Sequence, residues 1–148
     1  MKNQVQRGIR WDAAGAYWIN GEKKLLCCGE FHYFRVPRQD WERRLLLWKK
    51  AGGNCIATYV PWELHEPQEG SFAFSDCPAR DLEGFLQLCR RLDLFVLVRP
   101  GPYQYSEMKY SGLPEWLVTE YPQILARNPE GEIVNEISVS YLHPVFLE

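Results

Sequence analysis

Apolar positions along the chain follow two rhythms, short continuous runs and stretches with helical spacing. Asn20-Gly21, between AYWI and KKLLCC, is a two-residue hairpin signal, so the first part of the chain reads as short strands. The apolar, β-rich run LLCCGEFHYF follows and leads to Arg35 and Pro37. From about Asp40 to Ala51, Trp41, Leu45 and Trp48 fall at i, i+4 and i+7 with Arg and Lys at other positions, which predicts an amphipathic helix stopped by Gly52-Gly53. NCIATYV, ending at Pro61, is a continuous apolar run that suits a strand covered on both faces. A second helix is predicted from about Ala79 to Leu92, with Leu82, Phe85, Leu86 and Cys89 as its apolar stripe, and LFVLV after it reads as a third buried strand. LPEWLVTEY can hold a short helix with Pro114 in its first turn, RNPEGEIV is a turn, and HPVFLE is the opening turn of another helix.

Strand, helix, strand, helix, strand with near-continuous apolar strands predicts an α/β architecture with parallel strands and helical crossovers. A doubly wound nucleotide-binding fold wants a glycine-rich turn after its first strand, and FHYFRVPR supplies no such glycines. A (β/α)8 TIM barrel instead gathers polar and aromatic residues at the C-terminal ends of its strands. The strand ends read His32 and Tyr33, then Tyr59, Trp62 and Glu63, then Arg99, Tyr103 and Glu107, so the barrel is favoured. A complete barrel needs roughly 250 residues. Residues 1–148 are therefore expected to hold only about the first three β/α units of one truncated catalytic domain. An unpaired sheet edge and an open interior would make the isolated chain prone to aggregate.

Composition narrows the function classes. A net charge of -2 gives no electrostatic case for nucleic acid or an anionic membrane surface, and no apolar run is long enough to cross a bilayer. Five cysteines at 27, 28, 55, 77 and 89 show no metal-ligand spacing and read as reduced, mostly buried residues of a cytoplasmic protein. No cofactor or metal is expected. Aromatics make up 14% of the chain, which fits either large core residues or a carbohydrate site where rings stack on sugars.

Four stretches together carry a resemblance: GEFHYFRVPRQDW, AGGNCIATYVPWELHEPQEGSFAF, DLEGFLQLCRRLDLFVLVRPGPY and SGLPEWL. In order and spacing, from about Gly29 to Leu117, they resemble the catalytic domain of β-galactosidases of glycoside hydrolase family 35. The resemblance implies a (β/α)8 barrel that cleaves terminal β-linked sugars with retention, using two glutamates. It also implies that Tyr59 contacts sugar hydroxyls and that Ser106 and Glu107 hold the sugar, with Gln104 standing where the family uses main-chain groups. An ionised carboxylate only accepts hydrogen bonds, and a sugar edge offers paired O–H donors.

The chain departs from the family pattern at one place. QYSEM and SGLP stand where the family has Ile-Cys-Ala-Glu-Trp and Gly-Gly-Leu-Pro. Met108 removes an aromatic platform and Tyr105 adds bulk, changes that bear on the sugar more than on the reaction class. The resemblance places the acid/base after an asparagine on strand four, and Asn135-Glu136 offers that dipeptide. Too little chain separates it from LFVLV for a full crossover, so Glu136 reads better as a solvated turn residue.

Other candidates are weighed on position. Glu63 and Glu66 flank His65 in a loop expected to help close the barrel mouth, with Glu63 the nearer to the pocket. His32 either lines the pocket or is hydrogen-bonded within the rim. Arg99 is expected to pair with a carboxylate because a buried guanidinium must be paired. Trp41, Trp48, Phe72 and Phe74 read as packing. The expected function is a retaining exo-β-glycosidase, first a β-galactosidase acting on a β-galactoside or related carbohydrate, with no catalytic glutamate in this chain. A non-catalytic carbohydrate-binding fragment, or a barrel glycosidase for β-glucosides or β-glucosaminides, is the alternative.

Overall fold

A computed structural model describes residues 8–102, 104, 107–134, 138–140 and 142–147. The chain opens with a three-stranded antiparallel sheet, β1 (Ile9–Trp11), β2 (Tyr17–Ile19) and β3 (Glu22–Lys24). Asn20 and Gly21 join β2 to β3 with positive φ at both positions (51° and 85°), the backbone that an Asn-Gly turn adopts readily. A second sheet is parallel, in the order β4 (Cys28–Glu30), β5 (Cys55–Val60) and β6 (Phe95–Pro100). Asn54 pins the first two strands: its side chain accepts from the Cys27 N–H and donates to the Leu25 carbonyl, both at 2.8 Å.

Helix α1 (Arg38–Lys50) connects β4 to β5, and α3 (Leu82–Arg91) connects β5 to β6, with the short α2 (Trp62–His65) at the end of β5. The expected stop after α1 is a Schellman closure: Gly52 N–H reaches the Lys49 carbonyl at 2.9 Å and Gly53 N–H the Trp48 carbonyl at 3.1 Å, with Gly52 at φ 96°. Helix α3 closes the same way with Asp93 in the left-handed position. Its N-terminus begins later than the sequence suggests. Residues Pro78–Arg80 form a 3-10 turn, and Asp81 caps the helix by accepting from Gly84 N–H at 2.9 Å. Trp41, Leu45, Phe85, Leu88 and Cys89 of the two helices bury themselves with Tyr33, Ile56 and Leu94 in one core. A separate core, built around Leu113, Leu117, Val118, Ile124, Leu125 and Val139, follows β6 and includes α4 (Glu115–Glu120); Val145 of α5 (Pro144–Leu147) packs against it.

Several sequence expectations need correction. LFVLV is buried only at its start: Leu94 is in the core, whereas Leu97 is 48% and Val98 43% exposed. Strand β6 pairs only with β5 among the described residues, and α1 and α3 pack on the Ile56–Val96 face of the sheet alone. Apolar composition makes a strand coverable; a neighbour has to cover it. Cys27 and Cys28 are exposed, whereas Cys55 and Cys89 are buried. Phe72 is 65% exposed and Phe74 44%, so neither is core. Phe74 stacks on His65 at 4.6 Å.

Candidate functional site

Register decides which side chains meet. Glu30 pairs with Ala57, and Tyr59 with Arg99. Side chains alternate along a strand, so Tyr59, two residues past Ala57, shares a face with Glu30 and Arg99. This is the face opposite the Ile56–Val96 side that the helices cover. The parallel sheet therefore has an apolar side packed on helices and a side whose C-terminal end is polar.

At that end the groups form one chain of contacts. The Arg99 guanidinium lies over the Tyr59 ring at 3.9 Å and donates through Nη2 to Glu30 Oε1 at 2.5 Å. His32 stacks on the same ring at 5.1 Å, with Nε2 3.6 Å from Glu30 Oε2. Burial holds the His32 imidazole below its ordinary value; Glu30 opposes that shift, while Arg35 and Arg99 add to it. Arg35 Nη1 sits 3.6 Å from Glu107 Oε2. A 3-10 turn, Tyr33–Arg35, separates the two roles here. It sends Tyr33 into the helical core while His32 stays against Tyr59.

The sequence candidates divide on these contacts. Tyr59 is half-buried at the centre of the polar end. Glu107 is 88% exposed, with φ at 48°, and faces Arg35, whose guanidinium lies 5.6 Å over the Phe34 ring that stacks on His32. Gln104 is buried; its side-chain amide donates to the Val60 carbonyl at 2.8 Å and its own N–H to the Ser111 carbonyl at 2.8 Å. It thus braces the end of β5, and its side chain faces protein. Ser106, Tyr103, Tyr105, Asn135 and Glu136 lie outside the described residues. Arg99 has the carboxylate partner expected of it, Glu30, a residue that sequence reasoning did not single out. Counting by twos from Tyr59 along the register would have found it.

The neighbouring loop is held together by hydrogen bonds to Glu66. Glu66 is buried, accepting from the Trp62 indole and from Gly70 N–H at 2.7 Å, while its carbonyl accepts from the Trp116 indole at 2.9 Å. Glu63 is half-buried, and desolvation pushes its carboxyl up from the ordinary 4.5.

Residues 16–145 match the family model described as glycosyl hydrolases family 35. The chain belongs to that family. An exo-β-D-glucosaminidase from Pyrococcus horikoshii is 44% identical over 137 residues, covering 89% of this chain and 18% of that protein. A β-galactosidase from Mus musculus is 44% identical over 133 residues, covering 89% of this chain and 20% of that protein. The family 35 chain thus spans about a fifth of the length of these curated relatives. Among solved structures, a β-galactosidase from the psychrophilic Marinomonas ef1 superposes with a TM-score of 0.65 at 16% identity, over 82% of this chain and 17% of that one. At that identity the likeness concerns the fold alone, and the family 35 chain is a partial α/β domain.

Proposed function

We propose that the chain is the N-terminal part, about three β/α units, of the (β/α)8 catalytic barrel of a retaining exo-β-glycosidase, first a β-galactosidase. The observation that carries this reading is the polar cluster at the C-terminal ends of three parallel strands, where barrel enzymes hold their sites. In this reading Tyr59, Ser106 and Glu107 bind hydroxyls of the terminal sugar, and Gln104, whose N–H is held by Ser111, braces the strand end beside them. Glu107 is exposed, its carboxylate oxygens accept O–H bonds, and Arg35 steadies it. The reaction is double displacement through a glycosyl-enzyme intermediate, which needs two carboxyl groups about 5 Å apart. Barrel strands other than β4, β5 and β6 supply both.

A second reading, a β-glucosaminidase, has its own support. The Pyrococcus relative named for that activity is as identical to this chain as the murine β-galactosidase. Met108 also stands where the family has tryptophan.

The test is hydrolysis of nitrophenyl β-galactoside, β-glucosaminide and β-glucoside by the full-length protein. Turnover with retained anomeric configuration is expected, fastest on the galactoside. A fastest glucosaminide reaction selects the second reading, and no turnover of any β-glycoside overturns both.

A further inference from the structure

We propose that Glu30 and Arg99 are positioning residues that act through Tyr59: their ion pair clamps the aromatic ring that meets the sugar. The inference rests on the reading that Tyr59 binds substrate, and it adds two residues to which no role has been assigned.

Tyr59 lies on the middle strand, and its ring is held from both neighbours. Arg99 comes from β6 and His32 from just past β4. Glu30 joins the two holders, with Oε1 on Arg99 at 2.5 Å and Oε2 facing His32 Nε2 at 3.6 Å. One carboxylate therefore sets both groups that touch the ring.

Folding stability does not account for the pair. In the 148-residue chain Glu30 is 59% exposed and Arg99 36%, and an ion pair in such solvent contact adds little to the stability of that chain. Geometry does account for it. A planar guanidinium keeps a flat stack on a phenol ring only if something fixes its rotation, and a carboxylate hydrogen bond does that. A ring that binds hydroxyls must stay in place, because small displacements of binding groups cost large factors in rate.

The test uses the full-length protein and the nitrophenyl glycoside it turns over fastest. Glu30→Gln and Arg99→Met should each lower kcat/KM by about tenfold, and in a Tyr59→Phe background by less than about twofold. Loss of equal size in the Tyr59→Phe background, or no loss at all, overturns the proposal. A second readout is independent of turnover. In fluorotyrosine-labelled protein the fluorine resonance of Tyr59, assigned by its disappearance in Tyr59→Phe, should move in Glu30→Gln. An unmoved resonance overturns the clamp even if the parent protein hydrolyses no glycoside, whereas an inactive parent with a moved resonance overturns only the glycosidase reading.

Discussion

The phenol of Tyr33 donates to Nε2 of His65, and Nδ1 of His65 donates to the Ala73 carbonyl at 2.7 Å. With one ring nitrogen accepting and the other donating, the imidazole is neutral. Burial pushes its pKa below the ordinary 6.5, and His32 shifts the same way. A base whose folded pKa is depressed binds its proton more readily when unfolded. Its contribution to stability is present above 6.5 and is lost as pH falls below that value. The melting midpoint should be flat between pH ~7 and ~8 and fall between pH ~6.5 and ~5. In His65→Gln the slope should shrink, and stability at neutral pH should drop by about 1–3 kcal/mol through the unpaired Tyr33 hydroxyl. An unchanged slope in that variant would remove His65 from the explanation.

Glu63 and Glu66 sit three residues apart with opposite expectations. Glu66 holds the Trp62 indole and the Gly70 amide, so Glu66→Ala should cost about 2–3 kcal/mol in denaturant unfolding and change tryptophan emission. Glu63 pays a desolvation penalty when ionised, so Glu63→Gln should stay within about 0.5 kcal/mol of the parent protein. Similar losses in both variants would show that the loop does not depend on the Glu66 bonds.

Trp48 lies against Gly53 closely enough that a Cβ there would come within 2.0 Å of its Cε2 atom. Gly53→Ala should therefore destabilise the protein by about 1–3 kcal/mol. Trp48→Leu in that background should cost less than the sum of the two single changes. Strict additivity in thermal melts would mean the two do not collide.

Strand β6 exposes Leu97 and Val98 and is paired on one side only among the described residues. The 148-residue chain produced alone is expected to self-associate, and Val98→Lys to reduce light scattering severalfold. A monomeric chain with a sharp cooperative melt would contradict this expectation.

Much of the scaffold was legible because it is local. The spacing of Trp41, Leu45 and Trp48 announces α1, Asn20-Gly21 announces the hairpin, and Gly52 announces the helix stop. What was not legible depends on partners distant in sequence. The exposure of LFVLV follows from which elements lie beside it, and composition is silent on that. The direction of Tyr33 depends on a 3-10 turn that rotates it away from His32. Glu30 joins the polar cluster only once β4 and β5 are aligned in register. Tyr59 could be singled out because it sits at the end of a run already read as a strand. Gln104 could not be read as a brace, since its bond to Val60 spans 44 residues.

The two faces of the parallel sheet divide their labour. Ile56 and Val96 meet α1 and α3 on one side, while Glu30, Tyr59 and Arg99 stand on the other without touching that core. Substitutions on the polar side can accumulate without loosening the helical layer. If that side meets substrate as proposed, preference can drift across lineages while the framework stays fixed, and relatives named for glucosamine and for galactose then resemble this chain equally well.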